Sequence, residues 1–113
     1  MTTRTARTLA VALFGFSTLV APLFAQDTAT LERRGEALLS RHCAMCHALG
    51  RAGSSPNPIA VPFRELETRR SIASMREALA SGLMGGHPDM PRFTFEPREI
   101  EEIVAYLRSI QER

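Results

Sequence analysis

One five-residue stretch constrains this chain more than any other: Cys43-Ala44-Met45-Cys46-His47. These are the only two cysteines in 113 residues, and a histidine follows them directly. Cysteines this close together cannot tie distant segments to one another, so a small fold must find its stability elsewhere. The pattern Cys-x-x-Cys-His is the attachment signature of c-type haem. The chemistry fixes the spacing: two thiols add to two vinyl groups on one porphyrin edge, giving two thioethers, and the adjacent imidazole then reaches the iron from one face. Cys43 and Cys46 are thus the candidates for covalent attachment, and His47 for the first axial ligand. Three other readings use the same residues. A thioredoxin-like redox pair needs a preceding strand and a βαβ setting, and neither is visible in the pattern. A zinc site would combine Cys43, Cys46 and His47 with His42 or His87. A disulfide would close a very small loop and leave the histidine unexplained.

Haem attachment of this kind takes place outside the cytoplasm, and the N-terminus has the layout of an export signal. Arg4 and Arg7 form a basic start, Leu9 to Ala21 are largely apolar, and Pro22 precedes Leu23-Phe24-Ala25 and the polar Gln26-Asp27-Thr28. The expected division is a signal peptide over 1–25, cleaved after Ala25, and one domain over 26–113. The alternative is an uncleaved anchor, for which the apolar stretch is short and interrupted by Pro22. Without Arg4 and Arg7 the 14 basic residues fall to 12, against 12 acidic ones. The domain is close to neutral, with no basic surplus to recruit nucleic acid. All the basic residues are arginine; there is no lysine.

Removing 25 residues from 113 leaves 88, near the lower limit for a self-sufficient core. The domain has no Trp, one Tyr and three Phe (Phe63, Phe93, Phe95), so a bound group is needed to fill its centre. Three helical patterns follow the signal. From about Thr28 to His42, Leu31, Gly35, Leu38, Leu39 and His42 fall on one helix face. From about Ile72 to Ser81, Ser71 is the expected N-cap, Ile72, Met75, Ala78 and Leu79 the apolar face, and Gly82 the stop. From about Pro97 to Gln111, Pro97 suits the first turn, while Ile100, Ile103, Val104, Leu107 and Ile110 form the stripe. Gly50 to Pro62 and Gly85 to Pro91 read as irregular segments. The expected fold class is all-α, three main helices packed around one covalently attached haem.

The second axial position needs a ligand from distant backbone. Met75 lies on the apolar face of the middle helix, Met84 follows that helix, and His87 and Met90 sit in the second irregular segment. Met90 is favoured because Pro88 and Pro91 stiffen the backbone around it. On these residues the chain resembles a bacterial class I cytochrome c over nearly all of its domain. Gly35 and Leu39 stand eight and four residues before Cys43, as in that family's first helix. Ile103-Val104-Ala105-Tyr106-Leu107 resembles the matching part of its last helix, with Tyr106 the expected contact for Gly35. Asp89-Met90-Pro91 is similar to its axial-methionine loop. The resemblance further implies a proline carbonyl, from Pro56 or Pro58, accepting a hydrogen bond from the ligand histidine. The chain departs from the mitochondrial pattern in its short His47–Met90 interval, its lack of a Trp to bond a haem propionate, and its lack of docking lysines. Arg64, Arg92, His87 and Ser55 are the candidate substitutes at the propionates.

Paired His47 and Met90 ligands would leave no open iron site, and the soft thioether favours ferrous iron. The expected role is a monomeric periplasmic one-electron carrier, not an enzyme. It would carry one haem c, exchange electrons with periplasmic or membrane redox proteins, and lack any stable membrane insertion after signal cleavage. The alternatives are a small haem peroxidase or gas sensor with a displaceable sixth ligand, and a fixed cytochrome subunit of a dehydrogenase or oxidase.

Overall fold

The computed structural model describes residues 23–82 and 89–111. The body of the expected signal, and with it Met84 and His87, lies outside the described residues. Within them the chain is helical with no strand: α1 (Leu23–His42), a 3-10 turn (Phe63–Glu65), α2 (Leu66–Arg69), α3 (Ile72–Ser81) and α4 (Pro97–Ile110). The all-α expectation holds. The 3-10 turn and α2 are additions to it, because two short turns carry too few residues to show a period. Helix α1 starts at Leu23 rather than Thr28, upstream of the expected cleavage point. No helix among the described residues is long and apolar enough to cross a membrane.

The middle helix follows its local signals residue for residue. Ser71 Oγ accepts the Ser74 N–H at 3.2 Å, capping the first turn. Gly82 ends the helix with φ of 68°, a left-handed conformation that costs glycine nothing. Helix α4 opens at Pro97, whose missing N–H is no loss there, and the Glu99 carboxylate accepts from the Glu96 N–H at 3.0 Å. Its apolar stripe is the densest part of the core: Ile103, Val104 and Leu107 are fully enclosed. Leu38 and Leu39 of α1, Phe63 and Leu66 of the short turns, and Ile72 and Leu79 of α3 close around it. Past its end, Gln111 ties α4 to the short turns. Its amide nitrogen donates to Phe63 O (2.8 Å) and Leu107 O (2.6 Å), and its oxygen accepts from Glu67 N (2.9 Å).

Helices α1 and α4 touch backbone to backbone at Gly35. A Cβ there would lie 2.0 Å from Glu102 O and 3.0 Å from Ile103 N. The nearest atoms at this crossing are therefore those of the α4 main chain. Tyr106 donates its hydroxyl to Leu49 O at 3.0 Å, joining α4 to the segment after the motif. Burial, followed by the nearby Glu36 carboxylate, raises the phenol above its ordinary value, keeping it a donor. Below the Gly35 crossing, Glu102 is buried and receives Arg34 (3.3 Å) and Arg98 (3.4 Å). Because backbone cannot swing away as a side chain can, even Gly35→Ala should force the helices apart. We expect a loss of about 3 kcal/mol, at the upper end of ordinary overpacking and against a helix-propensity gain of about 1 kcal/mol. An unchanged melting temperature would show that the two helices do not meet there.

Candidate functional site

The motif wraps tightly off the end of α1. Cys43 N and Ala44 N both donate to Leu39 O (2.7 and 3.2 Å), and Cys46 N and His47 N both donate to Cys43 O (3.1 and 2.9 Å). This turn buries Cys43 in the core and leaves Cys46 and His47 half-buried. Both thiols are free. Burial, with Cys46 adding to it, pushes the Cys43 thiol up to about 11, so it is a neutral S–H at physiological pH. Among the described residues, which do not include His87, no three His, Cys, Asp or Glu side chains converge as a zinc centre would need.

The segment after Gly50 folds back over the motif and is pinned to it. Ala48 N donates to Ser55 Oγ (3.0 Å), Asn57 N to Cys46 O (3.1 Å), and Phe63 N to Ala48 O (2.9 Å). His47 Nδ1 lies 2.8 Å from Val61 O, and a carbonyl can only accept, so Nδ1 carries the proton. The opposite nitrogen, Nε2, is then the one with a free lone pair. The acceptor is Val61 rather than Pro56 or Pro58. Pro62 holds the preceding residue extended, and the Phe63–Ala48 bond fixes that stretch beside the motif. The Phe63 ring stacks on the imidazole with centroids 4.6 Å apart, which leaves the ring little freedom to turn.

Two adjoining cavities flank this histidine. The outer one, about 330 Å³, is lined by Cys43, Cys46, Met45, Ile59 and Phe93 among others. The inner one, about 220 Å³, is walled by apolar groups from every helix, including Leu39, Phe63, Leu79 and Ile103. Among the described residues two line both: His47 and Met90. The sequence candidates Cys43, Cys46, His47 and Met90 are thus brought to one place. Met75 packs against the core as expected, but it also lines the inner cavity.

The candidate propionate residues fare differently. Ser55 is engaged by Ala48, and Arg64 by Gly53 O (2.7 Å) and Glu65 (3.1 Å), so both brace the loop. Neither they nor Arg92 line either cavity; Arg69 and Arg70 do. Sequence reasoning missed this pair, because on a four-residue helix no period says which way a side chain faces. His42, at the end of α1, sits edge-on to Phe93 (5.4 Å) and Phe95 (5.6 Å) and lines the outer cavity.

The donor set fits a covalently bound porphyrin. Two thiols sit at one lobe of an apolar space, and a histidine with one nitrogen fixed and one free stands at the junction with the other lobe. A family model described as cytochrome c oxidase, cbb3-type, subunit III matches residues 30–107. No curated protein and no solved structure matches the chain.

Proposed function

The chain belongs to that cytochrome c family, which implies one covalently bound c-type haem, and from this premise we propose that it is a periplasmic one-electron carrier. In this reading Cys43 and Cys46 hold the haem and His47 and Met90 ligate its iron. The observation that carries it is that His47 and Met90 are, among the described residues, the pair common to both lobes of the cavity, with the thiols at one lobe. When bound, the haem supplies a one-electron couple between ferric and ferrous iron. Every other contribution comes from the chain. Val61 O holds the His47 proton on Nδ1, orienting Nε2 and increasing its basicity. The Met90 thioether favours the ferrous state, and the apolar inner wall disfavours the extra charge of the ferric one. Met45 and Ile59, 87% and 69% exposed, stand beside the attachment cysteines as bare apolar surface. They suit the small, short-lived contact of an electron-transfer encounter.

The family description favours a second reading, a fixed cytochrome subunit of a membrane oxidase. Cell fractionation separates the two. The carrier should be recovered from the soluble periplasm with Gln26 as its first residue. It should show one reversible one-electron reduction, and its ferrous form should not take up carbon monoxide. Co-purification with a membrane oxidase would make it a subunit. Ready carbon monoxide binding would replace both readings with a sensor or peroxidase.

A further inference from the structure

We infer that Gln111 is a positioning residue for the iron ligand, an assignment that rests on His47 having the axial role proposed above. It lies past Leu107, where the family match ends, so the family pattern does not prescribe it. Its carboxamide bridges three elements. The nitrogen donates to Leu107 O in α4 (2.6 Å) and to Phe63 O in the 3-10 turn (2.8 Å), and the oxygen accepts from Glu67 N in α2 (2.9 Å). A carbonyl only accepts and a backbone N–H only donates, so these partners fix which end of the amide is which. A carboxylate could not replace it, because Leu107 O and Phe63 O both need a donor.

Capping the end of α4 needs only the bond to Leu107 O. The bond to Phe63 O reaches the residue on which His47 rests. Phe63 is buried, its ring is stacked on the imidazole at 4.6 Å and 30°, and its N–H donates to Ala48 O at 2.9 Å. Gln111 takes the opposite, carbonyl side of the same residue. Two residues earlier, Val61 O accepts the His47 Nδ1 proton at 2.8 Å. The stretch 61–63 thus meets the imidazole at its face and at its proton, and Gln111 ties that stretch to α4, whose Leu107 is fully enclosed. With the amide removed, Phe63 loses its hydrogen-bonded link to α4, and the Val61–His47 bond opens more often. The consequence at the iron has a sign. That bond makes the imidazole a stronger donor, which favours the ferric state, so loosening it favours the ferrous one.

The test uses the intact holoprotein. Gln111→Met keeps the length of the side chain without its amide. In the ferrous, diamagnetic form its His47 Nδ1 proton should exchange with water about tenfold faster than in wild type, the upper range for one lost hydrogen bond. The ferric haem-methyl shifts, which follow the orientation of the axial ligands, should change, and the reduction potential should rise. Gln111→Glu, which sets a carboxylate against two carbonyls, should move all three readouts further. Gln111→Asn, too short to hold Leu107 O and Phe63 O together, should move them less but with the same signs, and it serves as the test if the Met variant does not fold. Glu99→Ala removes the capping bond at the far end of α4; it should lower the melting temperature and leave the three readouts in place. Gln111 variants that melt lower with all three readouts as in wild type would make the residue a helix cap and overturn the assignment. Equal movement in Glu99→Ala would overturn it too, since any loss of stability would then have the same effect. Wild-type protein in which His47 does not ligate the haem iron, read from its own histidine spectrum before any variant is made, would defeat the site reading and this inference together.

Discussion

Met90→Ala should abolish the thioether-to-ferric-iron charge-transfer band and lower the reduction potential. The drop should be large, on the order of a quarter of the roughly 0.8 V that axial ligands span. The sign follows from ligand softness: a thioether stabilises ferrous iron, and removing it returns the balance toward ferric. The same substitution should let the ferrous protein bind carbon monoxide and the ferric protein bind cyanide, because Met90 lines both cavities and its loss would leave the ligand position proposed for it open. Met75→Ala is the informative comparison. Met75 lines the inner cavity too and packs on the core, so its truncation should cost about 2–5 kcal/mol while leaving the band intact. If Met90→Ala keeps the band, a second thioether has the role, and the Met75→Ala and Met84→Ala backgrounds decide which. If wild-type protein has no band and binds carbon monoxide freely, the sixth position is open and the carrier reading fails.

What could be read from the sequence was what is encoded locally. The bounds of α3 follow from Ser71 and Gly82, a side-chain cap and a left-handed residue whose effects reach one turn. The α4 stripe is equally plain, because fourteen residues give its period several repeats. Cysteine spacing is local as well, which is why the motif could be read without a fold. The relations that escaped depend on where the chain returns in space. The His47 acceptor is fourteen residues away and is selected by the bond between Phe63 and Ala48, which no local rule contains. Gly35 signalled a close crossing, but a missing side chain cannot say what it meets, and the partner proved to be the Glu102 main chain. Arg69 and Arg70 are two of fourteen arginines, distinguished from the rest only once the cavity they line is known.

Replacing both attachment cysteines should have the largest effect of all, because it removes the cofactor and with it the filling of the core. Cys43→Ser with Cys46→Ser, made alongside a haem-attachment system, should yield at least tenfold less covalent haem by pyridine haemochrome than wild type. The haem that remains should extract into acidified organic solvent. Without the bound group, the apolar side chains that wall the cavity (Leu39, Phe63, Leu79 and Ile103 among them) are left against water instead of against a partner. A small domain, stable by only about 5–15 kcal/mol, has little to set against that loss. Serine adds a separate cost at position 43, since it places a hydroxyl at a buried position. The double alanine variant removes that complication, keeping the site apolar while still denying attachment. Both variants should therefore lose the cooperative thermal transition, the alanine form included. A double alanine protein that melts like wild type would mean the core does not depend on a bound group. A wild-type mass without haem would remove the attachment itself, since the chain has no other cysteine to provide it.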